Sequence, residues 1–473
     1  MERLPHDPRP WPARRDEALH DPVLQATLRR VTHRLNTARI QAYQNYPAGA
    51  EARERAKHRK REAVREWEPL LAQAEQQITA HGGQVFRAAT PGDVGAYIKK
   101  VAQEHGVQRI IKSKSMATEE VQLNAQLEAT GFAVRETDLG EYIIQLAHEK
   151  PSHILAPAAH KNRQQIQALF RETVADAHDV VSDDIPGLTQ FARQKLRQDF
   201  LSADMGITGG NFLVAETGTV VVITNEGNAD MVTTLPRILI SLVGLEKIVQ
   251  DWDALIDIIQ QPALSGVGQR LSSYTTMISG PRGPESWEGP DEWHVVLLDN
   301  GRQAIHDGPY QDVLACIRCG ACLNVCPVFQ QVGGHGYGSV YSGPIGTVIS
   351  PLIGGMQTFG ELPRYLCTVC YACQEACPMD IPLPEQIIGL RSQAVAEDRE
   401  PAAVRTQYRL WGQAWSTVHG YRRSVQAARI AQRLALRHVG LAAGWLKTRK
   451  MPPVAARTFL EGWAHEQRRR RRA

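Results

Sequence analysis

Residues 316–327 read CIRCGACLNVCP, and residues 367–378 read CTVCYACQEACP. These two stretches hold all eight cysteines of the 473-residue chain. Each sets Cys-x2-Cys-x2-Cys-x3-Cys ahead of a proline, the run that holds a [4Fe–4S] cluster. The short gaps let three thiolates reach three corners of one cubane, while the fourth cysteine, turned by the proline, ligates the other cluster. Two [4Fe–4S] clusters are therefore expected. Cys316, Cys319, Cys322 and Cys377 are assigned to the first, and Cys326, Cys367, Cys370 and Cys373 to the second. Zinc sites pair C-x2-C knuckles across a long spacer and need only four ligands, so a triple-spaced run present twice suits zinc poorly. A disulfide framework belongs to short secreted chains, whereas this long chain opens MERLPHDPRP with no apolar signal region.

The gap from Cys326 to Cys367 is 41 residues. That is too long for a minimal ferredoxin hairpin and predicts an α-helical ferredoxin module with an inserted loop. The insert, QVGGHGYGSVYSGPIGTVIS, is glycine-rich, and its bare backbone N–H groups are candidates for approaching cluster sulfurs. Upstream, residues 49–80 read as one helix rich in Ala, Glu, Arg and Lys, stopping at Gly82-Gly83. Strand-like runs then alternate with helical stretches: GQVFRAA, DVGAYIKKVAQEHGV, QRIIKSKS, TEEVQLNAQLEATG and FAVRETD. That alternation predicts an α/β domain with a mostly parallel sheet. HILAPA is read as a further strand, residues 161–199 as a long helical segment, and Pro236–Gln250 as helical. In FLVAETGTVVVITN the run GTVVVITN reads as a strand buried on both faces, and HVVLLDNGR supplies one more. The domain boundaries expected are 1–80 for an N-terminal helical segment, 81–300 for the α/β domain, 301–400 for the ferredoxin module and 401–473 for a basic helical tail.

Hydrophobic residues make up 43% of the chain, enough for folded domains, and no apolar run approaches the ~18 residues of a membrane span. Thiolates destined for iron–sulfur clusters, with no export signal, point to a reducing cytoplasm. The net charge of +4 hides a split. Residues 401–473 carry 16 Lys and Arg against only Glu461 and Glu466, leaving the other 400 residues at −10. Such a split suits an acidic partner surface, anionic lipid or nucleic acid; the plainer account is a solvated helical face with a disordered Arg468–Arg472 end, and no nucleic-acid motif is present. No Walker A motif or G-x-G-x-x-G fingerprint occurs.

Three polar strings fall at the ends of expected strands, where α/β proteins place ligand sites. KSKSMATEE supplies Lys112, Lys114, Ser115, Glu119 and Glu120. ETDLGEY supplies Glu136, Asp138 and Glu141. GITGGNFLVAETGT supplies Gly209, Gly210, Asn211 and Glu216, continuing to Asn225 and Glu226. Lysines and hydroxyls together suit a small carboxylate, and Glu136 and Glu216 are the candidate acid/base groups. The plainer reading makes the lysines surface partners of the acidic string and Ser115 a helix cap. His160 and His335 stand singly, without a partner at ligand spacing, and a non-ligand role is expected for both.

Taken in order, GGQVFRAA, IKSKSMATEE, ETDLGEYIIQLAHEKPSHILAPAAHKNR, GITGGNFLVAETGT, GPDEWHVVLLDNGR and the two cysteine runs closely resemble the lactate utilisation protein B family, also called LutB or YkgF. The resemblance runs from about residue 20 to Trp463. It implies that the α/β part is a LUD domain of NagB/RpiA/CoA-transferase-like fold. It also implies a role in a three-protein cytoplasmic system oxidising L-lactate to pyruvate, with a cysteine-rich subunit and a smaller LUD-domain subunit as partners. All eight cluster cysteines of the family pattern are present, whereas the five-arginine terminus departs from it. Clusters of this type move single electrons, while oxidising a 2-hydroxy acid removes two electrons and two protons. No hydride acceptor is legible in the sequence. An electron relay is therefore expected, with the alternative that the LUD pocket itself performs 2-hydroxy-acid oxidation.

Overall fold

The computed structural model describes residues 3–174, 182, 184–397, 402–433 and 453–471. Residues 1–394 form one compact unit and residues 395–473 a second. Ten strands occur among the described residues, β1 (Gln84–Ala88), β2 (Arg109–Lys112), β3 (Ala133–Glu136), β4 (Met205–Gly209), β5 (Phe212–Val214), β6 (Thr219–Thr224), β7 (Ile238–Gly244), β8 (Ile248–Val249), β9 (Tyr274–Ile278) and β10 (Glu292–Leu298). Six of them build an all-parallel sheet in the order β1-β10-β7-β4-β2-β3. The other four form a smaller sheet, β8-β5-β6-β9, in which β5 pairs antiparallel with β6 and β6 with β9.

The alternation of strand and helix in residues 83–136 is thus a parallel sheet, as the sequence pattern predicts. Local signals fix its helices. Pro91 opens the helix Pro91–Glu104, and Thr90 and Asp93 close a reciprocal capping box at its start.

Several local expectations give way to tertiary context. The segment Pro236–Gln250 is not helical. ILISLVG is apolar without a helical period, and as β7 it is buried along its whole length between β4 and β10. HILAPA forms turns rather than a strand. There the His153 ring accepts from the backbone N–H groups of Leu155 and Ala156, donors that a ladder would otherwise use. FLVAETGTVVVITN folds back on itself at Gly218, which takes φ +69°, so GTVVVITN joins the smaller sheet, antiparallel to β5 and β9, instead of the parallel one. The helix over 49–80 breaks at Glu66 into Pro47–Arg65 and Trp67–Ala80, letting Trp67 bury and stack on His306 with ring centroids 4.4 Å apart. The segment 161–199 is two helices, Arg163–Thr173 and Ile185–Leu201, and residues 175–181 and 183 between them lie outside the described residues.

The N-terminal helices Pro22–Asn45 and Pro47–Arg65 pack against Trp252–Val267. They also reach the cysteine region, where Arg53 Nη2 donates to the Cys377 carbonyl at 2.6 Å and Arg61 Nη2 to that of Asp380 at 2.8 Å. In the second unit the helices among the described residues are Ala402–Trp415, Val418–Arg433 and Phe459–Arg470. Arg468–Arg470 therefore continue a helix rather than a disordered end, while Arg472 lies outside the described residues. No described helix is long and apolar enough to cross a membrane.

Candidate functional site

Two short helices, Ala321–Val325 and Ala372–Ala376, pack against each other and bring the two cysteine runs together. Cys316, Cys319, Cys322 and Cys377 line one small cavity, with Ile154, Ile317, Ile345, Met379 and Leu383 supplying apolar walls. The remaining four gather beside it, where the thiols of Cys326, Cys367 and Cys370 all bear electrostatically on Cys373. Each set thus takes three cysteines from one run and the last cysteine from the other.

Burial, reinforced by neighbouring cysteines, raises the thiols of Cys319, Cys322, Cys326, Cys373 and Cys377, that of Cys373 to about 12 and that of Cys377 to about 11. A cationic iron core at their centre would reverse that penalty and hold them as thiolates. Among the described residues no three cysteine sulfurs lie within 4.8 Å of one another. A tetrahedral zinc with Zn–S near 2.3 Å needs sulfurs about 3.8 Å apart, so the wider donor sets fit a cubane better. All eight cysteines are unbridged.

Arg318 and Val369 hold the same place in the two runs. Both adopt left-handed backbone, φ +58° and +55°, an uncommon state for such residues. The turn aims each backbone N–H at the first sulfur of its run, 3.4 Å from Arg318 N to Cys316 Sγ and 3.3 Å from Val369 N to Cys367 Sγ. The side chains differ in kind. Arg318 places a buried guanidinium in the electrostatic field of Cys316, where the second run has an isopropyl group. Exposure differs too, since Cys319, Cys322 and Cys377 are buried whereas Cys370 is exposed.

A cavity of about 350 Å³ opens at the C-terminal edge of the parallel sheet, the place where open α/β sheets bind ligands. The ends of β2, β4 and β7 contribute Ser113–Ala117, Gly209–Asn211, and Gly244, Glu246 and Lys247. Gly209 is required there, because a Cβ would fall 2.6 Å from Ser115 Oγ. Ile317, Arg318 and Cys319 close the cavity on the cysteine side. Cys319 is therefore in the wall of both the cysteine cavity and the sheet-edge cavity.

The residues picked out in sequence separate into three places. Lys114, Ser115, Asp138, Asn225 and Glu226 line the cavity. Ser115 and Asp138 also cap helices, accepting from Thr118 N and Glu141 N, so cap and cavity wall are one residue in each case. Lys112, Glu136 and Glu141 instead form a buried ionic cluster beneath it. Lys112 Nζ lies 2.7 Å from Glu136 Oε1 and 3.3 Å from Glu119 Oε1. Burial pushes the Glu136 carboxyl up to about 7, against the pull of Lys112, and raises Glu141 as well. Glu216 sits apart at the β5–β6 turn, accepting from Trp252 N at 3.3 Å.

The sequence reading did not single out the cationic wall of the cavity, Lys247, Arg302 and Arg318. Arg302 forms a two-bond pair with Glu120 at 2.8 Å and also donates to Glu246, while Tyr341 donates to Glu120. Burial lowers Lys247 to about 8 despite its neighbour Glu246. Only Arg318 had a local signal, its position inside the first cysteine run. The glycine-rich insert also departs from expectation, since several of its glycines serve close backbone packing. A Cβ on Gly334 would fall 1.9 Å from the Ser152 carbonyl oxygen.

With this geometry in place the comparisons with known proteins fall into line. Residues 71–298 match the LUD domain family, and residues 312–381 match the 4Fe-4S dicluster domain family. The fold and site thus define an iron–sulfur protein with a LUD domain. The lactate utilization protein B of Bacillus pumilus is 40% identical over 460 residues, 96% of either chain. That of Geobacillus kaustophilus is 48% identical over 335 residues, 70% of either chain. A protein of Escherichia coli K12 named uncharacterized electron transport protein YkgF is 43% identical over 375 residues, 79% of this chain and 78% of its own. The chain belongs to the lactate utilization protein B family.

Proposed function

We propose that this chain is the electron-transfer iron–sulfur subunit of a cytoplasmic system that oxidises L-lactate to pyruvate. Cys319 carries the reading, because it forms the boundary between the LUD cavity and the buried cysteine set. The first set of four would hold one [4Fe–4S] cluster, and Cys326, Cys367, Cys370 and Cys373 a second, each passing electrons singly when bound. Cys370 is exposed, which suits an exit toward a partner at the second set. The names of the relatives support the lactate assignment. The partners in this reading are a cysteine-rich subunit and a smaller LUD-domain subunit. The all-parallel six-stranded sheet supports a NagB/RpiA/CoA-transferase-like reading of the LUD domain.

A second reading gives the carbon chemistry to this chain. One observation favours it: Arg318 Nη1, a buried cationic donor in the cavity wall, has no hydrogen-bond partner, as a site awaiting a small carboxylate would. The two readings separate in one assay. Cluster-loaded chain alone is given L-lactate and an artificial acceptor, and the assay is repeated with the partner subunits. Turnover only with partners supports the relay, and turnover by the isolated chain supports the second reading. Deletion of the gene should abolish growth on L-lactate while sparing growth on glucose. Undiminished lactate growth, in cells without another lactate dehydrogenase, would overturn both.

A further inference from the structure

Outside the cysteines, one group of three histidine and carboxylate side chains converges among the described residues. It comprises Glu149, His160 and His335, each offering a ligand atom within 4.8 Å of the others. The first two lie in the segment after the helix Leu139–Leu146, and His335 opens a short turn, His335–Tyr337, in the insert between the cysteine runs. The histidines thus come from LUD and cysteine regions 175 positions apart, with ring centroids 4.6 Å apart. The close packing of Gly334 on Ser152 brings the two segments together.

The hydrogen bonds decide which ring nitrogens are free. The Lys150 carbonyl can only accept, so His335 Nε2, 2.7 Å away, must carry the proton and Nδ1 keeps its lone pair. Ser152 Oγ spends its proton on the Pro157 carbonyl at 2.9 Å. His160 Nδ1, 2.9 Å from that hydroxyl oxygen, is therefore the donor. In the neutral ring His160 Nε2 is then a lone pair, yet it sits 2.6 Å from Glu149 Oε2. At that separation the pair is closed by a proton; two ligands of a tetrahedral zinc lie about 3.3 Å apart, so an ion held by both atoms displaces this proton and opens the pair by more than about half an ångström. The second Glu149 oxygen is held by Lys161 Nζ at 2.7 Å. Both imidazoles thus donate their far N–H to an oxygen and the carboxylate is fixed from behind, the arrangement that surrounds metal-binding side chains.

We propose that Glu149, His160 and His335 bind a divalent ion of the zinc class, clamping the LUD segment 149–160 to the insert that separates the cysteine runs. Two imidazole nitrogens and one carboxylate oxygen suit zinc, with a solvent-facing position left for water. Glu149 and His335 are exposed, giving the ion a route in. The clamp would act through the insert, whose Tyr337 hydroxyl lies 4.0 Å from Cys326 Sγ. This inference stands apart from the lactate reading, since neither needs the other.

The test uses the cluster-loaded full chain, dialysed against a chelator and titrated with zinc chloride, with iron content followed in the same samples. One zinc per chain should survive desalting with no loss of iron. Its X-ray absorption edge should show nitrogen and oxygen neighbours and no sulfur. His335→Ala and His160→Gln should each weaken zinc binding at least tenfold while iron content stays unchanged, which also shows that the variants fold. Zinc retained equally in both variants, zinc bound by sulfur with iron displaced, or no zinc retained at all would each overturn the proposal.

Discussion

His153 Nε2 donates to Asn324 Oδ1 at 3.1 Å, a bond between two buried side chains that ties the LUD domain to the middle of the first cysteine run. Because Nδ1 accepts two backbone N–H groups, the ring is neutral. Burial, with Lys114 adding to it, pushes its pKa down to about 4. A histidine lowered in the folded state is protonated first in the unfolded chain, so its contribution is full above about pH 6.5 and lost as pH falls toward 4. We expect His153→Gln to remove a pH-dependent component of stability on the order of 3 kcal/mol across that window. Urea unfolding of cluster-loaded wild type and variant at a series of pH values measures it. An unchanged difference between them from pH 7 to 4.5 would refute the assignment.

The contrast between Arg318 and Val369 makes the two cysteine centres electrostatically unequal. A guanidinium beside Cys316 favours the more negative, reduced state of the centre it faces. Arg318→Val copies the second run and should lower one of two midpoint potentials by on the order of 50–100 mV, leaving the other within error. EPR-monitored redox titration resolves the two. Equal shifts in both, or none, would show that Arg318 does not discriminate between them.

Ligand exchange between the runs can be checked against that result. If Cys377 completes the set containing Cys316, then Cys377→Ala must disturb the potential that responds to Arg318→Val. Cys326→Ala must disturb the other. Iron content should fall by no more than roughly half in either variant. The reverse pairing would mean that each run keeps its own four cysteines.

What could be read in advance follows the range over which each signal acts. The cysteine spacing is local, and so are the capping box at Thr90 and Asp93 and the caps at Ser115 and Asp138. The strand–helix alternation of residues 83–136 is local as well. Residues 238–244 read as helical from the sequence and are a strand, because burial between β4 and β10 decides their state and both neighbours are remote in sequence. The cationic cavity wall shows the limit most clearly. Lys247, Arg302 and Arg318 are unremarkable one by one and meet only because strands β7 and β10 end beside the first cysteine run. His160 and His335 looked solitary for the same reason, since 175 residues separate them.

The deepest of these long-range groupings is the ionic network of Glu120, Glu246, Arg302 and Arg318. Arg302 is 1% exposed and pairs with Glu120 while also donating to Glu246. Burial alone would push Glu246 up, but Arg302, Lys247 and Arg318 hold it well below the usual carboxylate range. The network's charges are therefore matched inside the fold, and removing one member leaves its partners uncompensated. Arg302→Met keeps much of the side-chain volume and deletes the charge, so it should cost about 3–5 kcal/mol. Glu120→Gln should cost a comparable amount, since its single amide oxygen can still accept from Arg302 Nη2 and Tyr341 but its NH2 then faces the donors Arg302 Nη1 and Asn300 Nδ2. Both effects can be read from urea unfolding at neutral pH on cluster-loaded protein. A loss under about 1 kcal/mol for Arg302→Met would mean that water or backbone relaxation reaches the two carboxylates. In that case the network would not be what holds the LUD sheet edge against the first cysteine run.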